Sequence, residues 1–266
     1  MEYKGFDVNF GLKNKVAIVT GGLSGIGEAI ADLYIKKGAK VAIFDVKKDT
    51  AEETKEKYGE AAIGLTVDVT QKLQIEAAIK IVMDTYSKID LLVNSAGIAL
   101  LDDAENLSEE YWDKTFAINV KGSFLVAQAV GKILIKSGGG KIINMSSQAA
   151  LVALDNHVAY CASKGAIVSM TKVLAYEWAQ YNINVNCISP TVILTELGKK
   201  AWAGQAGEDM KKQIPAGRFG YPDEVAACAL FLASDGSSLM TGENMVLDGG
   251  YTVKCCLLYT SPSPRD

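Results

Sequence analysis

Seven short apolar runs, rich in valine and isoleucine and separated by stretches of helical periodicity, constrain the fold of this chain most strongly. The runs are continuous rather than alternating in polarity, as expected of strands that are covered on both faces. After the first run, apolar residues at 26, 29, 30, 33 and 34 follow the spacing of a helix with one buried stripe. This alternation predicts an α/β fold, a doubly wound parallel sheet of about seven strands with helices on both faces. The runs cover residues 15–20, 40–45, 63–69, 90–97, 141–147, 183–189 and 244–250.

The organisation of the chain follows from the spacing of these runs. No linker, repeat or charge block divides residues 1–254, so we expect a single domain. A long helix is predicted from an N-cap at Ser108 to the glycine run at 138–140. Residues 194–214 are predicted to form a helical insertion that closes over substrate as a lid.

The end of the chain, residues 256–266, differs in character from everything before it. Its sequence "CLLYTSPSPRD" has clustered serines and prolines and no periodicity. It resembles the in-frame translation of a sequencing adapter, so we interpret it as a non-native tail and exclude it from the fold. The alternative is a natural flexible tail.

Composition excludes several classes of function. The net charge of −4 argues against a surface for nucleic acid or anionic membrane. No uninterrupted apolar run reaches the ~18 residues of a membrane span, and residues 1–15 lack the apolar core of a signal peptide, so we expect a cytoplasmic protein. The cysteines show no metal-ligand spacing, so we predict reduced thiols and no metal site. They are Cys161, Cys187, Cys228, Cys255 and Cys256.

Glycines and carboxylates follow the predicted strands where a ligand of such a sheet would lie. Gly21, Gly25 and Gly27 in "TGGLSGIG" allow a pyrophosphate to approach the backbone and the start of a helix. Asp45 closes the second run, where a carboxylate can bind the ribose hydroxyls of a dinucleotide. Asp68, near the end of the third run, is a candidate for the adenine edge.

A tyrosine and a lysine share one face of a predicted helix in "HVAYCASKG". Tyr160 and Lys164 are four positions apart, one turn from each other. A phenol with an ordinary pKa of about 10 is a poor base at neutral pH, but a nearby cation favours the phenolate. Ser147, at the end of the fifth run, could bind the oxygen of a substrate. The three residues predict acid/base chemistry at this edge of the sheet.

These motifs together resemble the short-chain dehydrogenase/reductases over residues 10–252. The resemblance is carried by "TGGLSGIG", "NSAG" (94–97), Asn119 in "INVKG", Ser147 in "NMSS" and "YCASK" (160–164). It implies a Rossmann-type sheet, a nicotinamide cofactor and a catalytic set. In that set Tyr160 is the acid/base, Lys164 lowers the pKa of Tyr160 and binds the nicotinamide ribose, and Ser147 binds the substrate oxygen. Asn119 would hold a water that links Lys164 to solvent.

The resemblance also implies a cofactor set and an assembly. Asp45 favours NAD over NADP, and Ser24 stands where many NADP-dependent relatives carry a basic residue, although Lys47 and Lys48 lie nearby. Most members of the family are tetramers that pair long helices, so we expect a homotetramer. The implied cofactor residues are Gly21, Ser24, Gly25, Ile26, Gly27, Asp45, Asp68, Val69, Asn94, Ala96, Gly97, Tyr160, Lys164, Pro190 and Thr195.

Three functions are compatible with this set. "ALDNHVAYCASK" and "GRFGYPDE" look like the polyol branch of the family, acting on threitol- or erythritol-like alcohols. The alternatives are a 3-oxoacyl thioester reductase, disfavoured by Asp45, and a catalytically silent NAD sensor, disfavoured by the intact catalytic set. Thr191 stands where the family usually has glycine after Pro190. The predicted hydroxyl-binding residues are Gln148, Asn156, His157 and Thr191.

The interpretation of the tail gives a first testable prediction. Deleting residues 256–266 should leave the melting temperature and the activity unchanged, because a sequence that was never selected to pack contributes no contacts. Thermal melting of the shortened and full-length chains checks this, and a loss of several degrees would show that the tail is native structure.

Overall fold

Seven parallel strands form one sheet in the computed structural model, which describes residues 5–254. Their order across the sheet is β3-β2-β1-β4-β5-β6-β7. The sheet is the one predicted from the apolar runs. The strands are β1 (Val16–Thr20), β2 (Lys40–Asp45), β3 (Ala62–Thr66), β4 (Leu91–Asn94), β5 (Gly140–Met145), β6 (Ile183–Pro190) and β7 (Asn244–Leu247).

Helices cover both faces of this sheet, so the fold is doubly wound. Ile30 of the first helix and Val225 of the last share one apolar core on the first face. On the second face, Ile79, Val126 and Leu174 come from three other helices and share a second core. The helices are α1 (Gly25–Lys36), α2 (Thr50–Tyr58), α3 (Lys72–Tyr86), α4 (Glu109–Phe116), α5 (Ser123–Ser137), α6 (Val158–Trp178), α7 (Glu196–Ala201), α8 (Gln205–Gln213) and α9 (Pro222–Ala233).

The strand order reverses beside β1, which pairs with β2 on one edge and with β4 on the other. At such a reversal the crossover helices leave the sheet in opposite directions and open a cleft at the carboxyl ends of the strands. The segments that follow β1, β4 and β5 therefore meet at one edge of the sheet. These segments carry "TGGLSGIG", "NSAG" and Ser147.

Four of the strands, β3, β4, β5 and β7, end before the apolar runs that predicted them. The pairing of β3 with β2 stops at Thr66 opposite Asp45, because β2 itself ends there. Asp68 therefore lies two residues beyond the strand, in a turn, and not at its last position. In the same way β4 ends at Asn94, which leaves Ser95–Gly97 in a loop. Apolar character continues past a strand wherever the chain stays buried, so it does not mark the last ladder bond.

The predicted long helix begins and ends where its caps indicated, but it is interrupted. The Ser108 hydroxyl accepts the Tyr111 N–H at 3.2 Å, and Gly138 ends α5 with a φ of 86°. Between α4 and α5, residues Ala117–Gly122 form a π-helical turn. Inside that turn the Ser123 hydroxyl donates to the Asn119 carbonyl at 2.8 Å. Side chains that bond within the helical ladder are a common cause of such turns.

Helix 109–137 has the length and apolar composition of a membrane span. Its apolar side chains have another explanation, because Val126, Val130 and Leu134 are completely buried against the sheet. The predicted insertion at 194–214 is helical as α7 and α8, with a small core of its own around Met210 and Phe219. The interpretation of residues 256–266 lies outside the described residues.

Candidate active site

The loop between β1 and α1 forms a backbone cradle. Gly21 and Gly25 both have positive φ, 65° and 58°, which turn the chain back on itself before the helix. The Ser24 side chain at the N-cap of α1 makes no capping hydrogen bond, so the first N–H groups of the helix keep their capacity for a ligand. This geometry fits a pyrophosphate group.

The cradle is locked to the loop after β4. The Thr20 hydroxyl accepts the N–H groups of Ser95 and Ala96 at 3.0 and 3.1 Å. A Cβ atom added to Gly21 would lie 3.0 Å from the Ala96 Cα, and one on Gly27 would lie 2.3 Å from the Gly21 carbonyl oxygen. The two predicted cofactor segments are thus one packed unit, in which glycine is required by close backbone contact.

Asp45 is placed by the same cradle. Its side chain is 9% exposed, and Oδ2 accepts the Leu23 N–H at 3.2 Å while Oδ1 accepts the Lys47 N–H at 3.3 Å. These bonds aim the carboxylate at the end of β2 toward the glycine loop. The ammonium of Lys47 is directed elsewhere, toward Glu53 at 3.4 Å.

Asp68 and Val69 lie on the turn after β3, at the rim of the cleft. Asp68 Oδ1 accepts both the N–H and the hydroxyl of Thr70, at 2.9 and 2.8 Å. Val69 packs against the π-helical turn, since a Cβ on Gly122 would lie 2.7 Å from the Val69 Cγ2. The turn is therefore rigid, and Asp68 Oδ2 makes no hydrogen bond within the described chain.

Asn94 and Gly97, also predicted to touch the cofactor, have different surroundings. The Asn94 amide donates to the Ser123 carbonyl at 3.1 Å and to Asn144 Oδ1 at 2.9 Å, so its two hydrogens join β4 to α5 and β5. Gly97 faces the catalytic lysine, because a Cβ added there would lie 3.6 Å from the Lys164 Nζ. The Asn94 amide hydrogens thus join three elements while its Oδ1 has no partner among the described residues, and Gly97 leaves room for an ammonium group.

Ser147, Tyr160 and Lys164 come together beyond β5, as the sequence predicted. The Ser147 hydroxyl accepts the Ala149 N–H at 3.2 Å and lies close enough to the Tyr160 phenol to lower its pKa. Lys164 is 6% exposed, and its Nζ lies 5.5 Å from the centre of the Tyr160 ring. The ammonium donates to the Met145 carbonyl at 2.9 Å, at the last residue of β5. The end of the strand thus holds both the serine and the lysine.

Burial dominates the ionisation of this group. It raises the pKa of the Tyr160 phenol, against which the nearby Ser147 hydroxyl acts in the opposite direction. It also lowers the pKa of Lys164 to about 8. That Lys164 lowers the pKa of Tyr160 stays a prediction; in this structure the ammonium donates to the Met145 carbonyl, and burial sets the direction of the Tyr160 pKa.

The Asn119 side chain is fully engaged by the protein. Its Oδ1 accepts the Ile98 N–H at 2.8 Å, and its Nδ2 donates to the Ile98 carbonyl at 2.9 Å and to the Ser163 hydroxyl at 3.0 Å. Both amide hydrogens are therefore used. The role in holding a water stays a prediction, and it would fall to the Asn119 oxygens rather than to the amide nitrogen.

Two of the four predicted substrate residues have a buried side-chain oxygen without a partner among the described residues. Gln148 is 2% exposed, and its Oε1 has no hydrogen-bond partner within residues 5–254. The Thr191 Oγ1 has none there either. Thr191 is accommodated without positive φ, and its N–H donates to the Leu247 carbonyl at 3.0 Å. A β-branched residue is thus tolerated where the family usually has glycine.

His157 and Asn156 occupy the turn that precedes α6. The His157 ring meets the Tyr160 ring edge-on, with centroids 6.0 Å apart. Asn156 is exposed, has a φ of 64° and accepts the Asp102 N–H at 3.2 Å through its carbonyl. Histidine therefore borders the tyrosine, while the asparagine shapes the turn.

The insertion after β6 touches the cradle directly. Pro190 ends β6 beside Leu247, and the Thr195 hydroxyl caps α7 by accepting the Gly198 N–H at 3.0 Å. A Cβ on Gly25 would lie 3.1 Å from the Thr195 Cγ2. The start of the predicted lid thus lies against the predicted pyrophosphate loop.

Sequence reasoning missed the residues that support the catalytic helix. The Ser146 hydroxyl donates to the Lys164 carbonyl at 2.9 Å, and the Met145 carbonyl accepts the lysine Nζ. Ser163 bonds both Asn119 and the Tyr160 carbonyl. Both serines stand inside quoted motifs, but only their tertiary contacts reveal what they hold.

Comparison with known proteins agrees with this geometry. A family model described as enoyl-(acyl carrier protein) reductase matches residues 21–252. An NAD-dependent glycerol dehydrogenase of Listeria innocua is 63% identical over 96% of this chain and 100% of its own length. A D-threitol dehydrogenase of Mycolicibacterium smegmatis is 53% identical, over 93% and 96% of the two chains. A short-chain type dehydrogenase/reductase from Mycobacterium marinum has a TM-score of 0.85 at 35% identity, covering 92% and 98%.

The close contact at Gly27 gives a stability prediction. Gly27→Ala should lower the free energy of unfolding by about 1–3 kcal/mol, because its methyl group would be forced against the Gly21 carbonyl. Gly165→Ala is the matched control: it is also helical but has nothing within 4 Å of the added Cβ, so it should gain about 0.5–1 kcal/mol. Urea unfolding of both variants measures this, and equal effects would contradict the packing described here.

Proposed function

The chain belongs to the short-chain dehydrogenase/reductase family, and we propose that it oxidises the secondary alcohol of a short polyol, of glycerol or tetritol size, to the ketose. It is an NAD-dependent polyol dehydrogenase, as the sequence motifs predicted. The finer assignment of substrate is supported most by the names of two relatives, one acting on a three-carbon and one on a four-carbon polyol.

We assign the chemistry to the group beyond β5. NAD, when bound in the glycine-rich cradle, supplies the hydride acceptor and a positively charged ring beside the reacting carbon. Ser147 donates a hydrogen bond to the alcohol oxygen and keeps it next to Tyr160, which takes the hydroxyl proton as the C–H bond breaks. The alcohol thus loses one hydride and one proton, and the C=O bond forms.

Lys164 and Asn119 support this transfer without touching the substrate carbon. Burial keeps the Tyr160 phenol protonated, so a positive charge must approach before the phenol can act as a base. Lys164 carries such a charge, held 5.5 Å from the ring centre by the Met145 carbonyl. We propose that the Lys164 ammonium stabilises the Tyr160 phenolate and binds the nicotinamide ribose. We also propose that Asn119 holds the side of the pocket that faces Lys164.

The unpaired buried oxygens support a hydroxylated substrate. Gln148 follows Ser147 directly, and Thr191 follows the end of β6. A site with such groups discriminates strongly against an apolar ligand that leaves them unpaired, often by about 10⁴ or more. We propose that both oxygens turn toward the bound substrate, where the hydroxyls of a triol or tetritol can donate to them and a fatty-acyl chain would leave them without partners.

We also propose the assembly and the compartment that the family resemblance implies. Trp112 and Phe124 are partly exposed on α4 and α5, which with Asn119 between them form one of the two long helices expected to pair in a homotetramer; the other is α6, which carries Lys164. Light scattering on the purified protein checks this assembly, and a monomer would contradict it. The expected compartment is the cytoplasm.

A panel of alcohols tests the substrate. With NAD, we expect turnover of glycerol and D-threitol at the secondary carbon, and weaker turnover of hexitols. Acetoacetyl thioesters serve as the comparison, because a 3-oxoacyl thioester reductase is the alternative activity that the sequence motifs left open. Efficient reduction of the thioester with no oxidation of any polyol from three to six carbons would replace the polyol assignment by the reductase.

Tyr160→Phe tests the proton acceptor. The ring still packs, but the hydroxyl is lost, so kcat/KM should fall by about 10²–10⁴ while the fold is retained. Tyr176→Phe on the same helix is the control, since that side chain is 87% exposed and should change activity little. Steady-state kinetics with circular dichroism measures both, and less than a tenfold loss for Tyr160→Phe would contradict the assignment.

Asp45→Ser tests the choice of cofactor. The wild-type protein should favour NAD over NADP by about a hundredfold in kcat/KM, because a 2′-phosphate would lie against a carboxylate and like charges in contact cost several kcal/mol. The substitution should bring the ratio within about tenfold of unity. Asp49→Ser, an exposed carboxylate in the following turn, is the control and should leave the ratio unchanged. Equal use of both cofactors by the wild type would show that Asp45 does not touch the ribose.

A further inference from the structure

Ser163 lies between Tyr160 and Lys164 on α6 and is completely buried. A serine in the middle of a helix has a poor helical propensity, and its hydroxyl must find a partner when water cannot reach it. Ser163 has two partners, and both belong to the catalytic group. The serine at this position therefore does more than continue the helix.

The Ser163 hydroxyl connects two elements. It donates to the Tyr160 carbonyl at 2.8 Å, within the first turns of α6. It also accepts the Asn119 amide at 3.0 Å, across the gap between α6 and the π-helical turn. One oxygen thus ties the backbone of the catalytic tyrosine to the side chain of the asparagine.

Asn119, held by Ser163, in turn fixes the loop that lies next to Lys164. Its two remaining bonds, to the Ile98 N–H and carbonyl, fix the loop that contains Gly97. A Cβ on Gly97 would lie 3.3 Å from Asn119 Oδ1 and 3.6 Å from the Lys164 Nζ. The carbonyl dipole of the asparagine and the ammonium of the lysine therefore border the same small space.

We propose that Ser163 is a positioning residue for proton transfer: it holds Asn119 at a fixed place relative to Tyr160 and Lys164. This inference rests on the proposed function, in which Tyr160 accepts the proton. Without the hydroxyl, the Asn119 amide loses a partner in a buried site, and the π-helical turn can shift against α6. Misplacement by about 1 Å is enough to slow a positioned reaction a hundredfold.

The readout must separate positioning from stability. The titratable groups around the Tyr160 phenol are Lys164 one turn along the helix, Cys161 beside it and His157 at its edge. The Asn119 oxygen is the dipole next to the lysine, so its displacement changes the field that acts on the phenol. The pH dependence of the rate then moves, whereas a loss of packing alone leaves it in place.

The experiment compares two buried hydroxyls on one helix. In Ser163→Ala, kcat should fall about tenfold, and the acid limb of the pH–rate profile should move upward by about half a pH unit or more. Thr171→Ala is the matched control, because Thr171 is also completely buried on α6 and its hydroxyl also accepts an asparagine amide, that of Asn144 at 3.0 Å. It should lose a similar number of degrees in melting temperature and keep the wild-type profile. Ser163→Thr, which retains the hydroxyl, should recover the profile.

A second readout does not depend on turnover. Absorbance titration of the NAD complex, with the Tyr160→Phe variant subtracted, follows the ionisation of the Tyr160 phenol directly. Its midpoint should move upward in Ser163→Ala as well. If the wild type oxidises none of the alcohols, the proposed function fails, and this titration still decides the role of Ser163.

One combination of results would contradict the proposed role of Ser163. If Ser163→Ala loses stability like Thr171→Ala but keeps the wild-type pH profile and phenol titration, Ser163 only packs the helix and the inference is wrong. Should Ser163→Ala not fold, Ser163→Cys preserves the shape with a weakly accepting thiol. It must then shift both midpoints in the same direction, and unchanged midpoints would overturn the inference.

Discussion

The pairing of β1 on both of its edges is the constraint on which the rest of the structure depends. Both β2 and β4 pair with β1 in parallel, on its two edges. The crossover connections on the two sides therefore run over opposite faces of the sheet, and the helices that follow β1 and β4 separate. The carboxyl ends of the central strands all open into the cleft between these helices. The glycine cradle, the loop after β4 and Ser147 thus share one edge, although 120 residues separate Gly27 from Ser147.

At this edge of the sheet, burial rather than ion pairing determines the ionisation of Lys164 and Tyr160. Lys164 is buried with a carbonyl as its hydrogen-bond partner and no carboxylate within salt-bridge distance among residues 5–254, so burial opposes its charge. The same burial holds the phenol of Tyr160 in its neutral form. A cation near Tyr160 would therefore favour the phenolate, and an anion near Lys164 would favour the ammonium. Ser146 and Ser163 supply neutral hydrogen bonds, to the Lys164 and Tyr160 carbonyls, that keep this arrangement in place.

Much of this arrangement was predictable, and the misses share one cause. The apolar runs predicted all seven strands, and Ser108 and the glycines predicted the ends of the long helix. The π-helical turn was not predicted, because "AINVKG" has ordinary helical residues and the bonds of the Asn119 side chain go to Ile98 and Ser163, which are distant in the chain. The burial that raises the pKa of Tyr160 was not predicted, because sequence spacing shows that Lys164 is near but not how deeply the phenol is buried or that Lys164 donates to Met145.

The sequence by itself determined the parallel sheet, the glycine cradle with Asp45, and the family, since each depends on local periodicity or on motifs a few residues long. Only the tertiary structure decided where the side chains of the candidate site direct their hydrogens. The Asn119 amide is spent on Ile98 and Ser163, Asn94 joins strands, and Asp68 lies in a turn beyond β3. The physical reason is that a polar group, once buried, bonds to whichever partner the packing of distant elements brings within about 3 Å. Spacing along the chain cannot specify that partner.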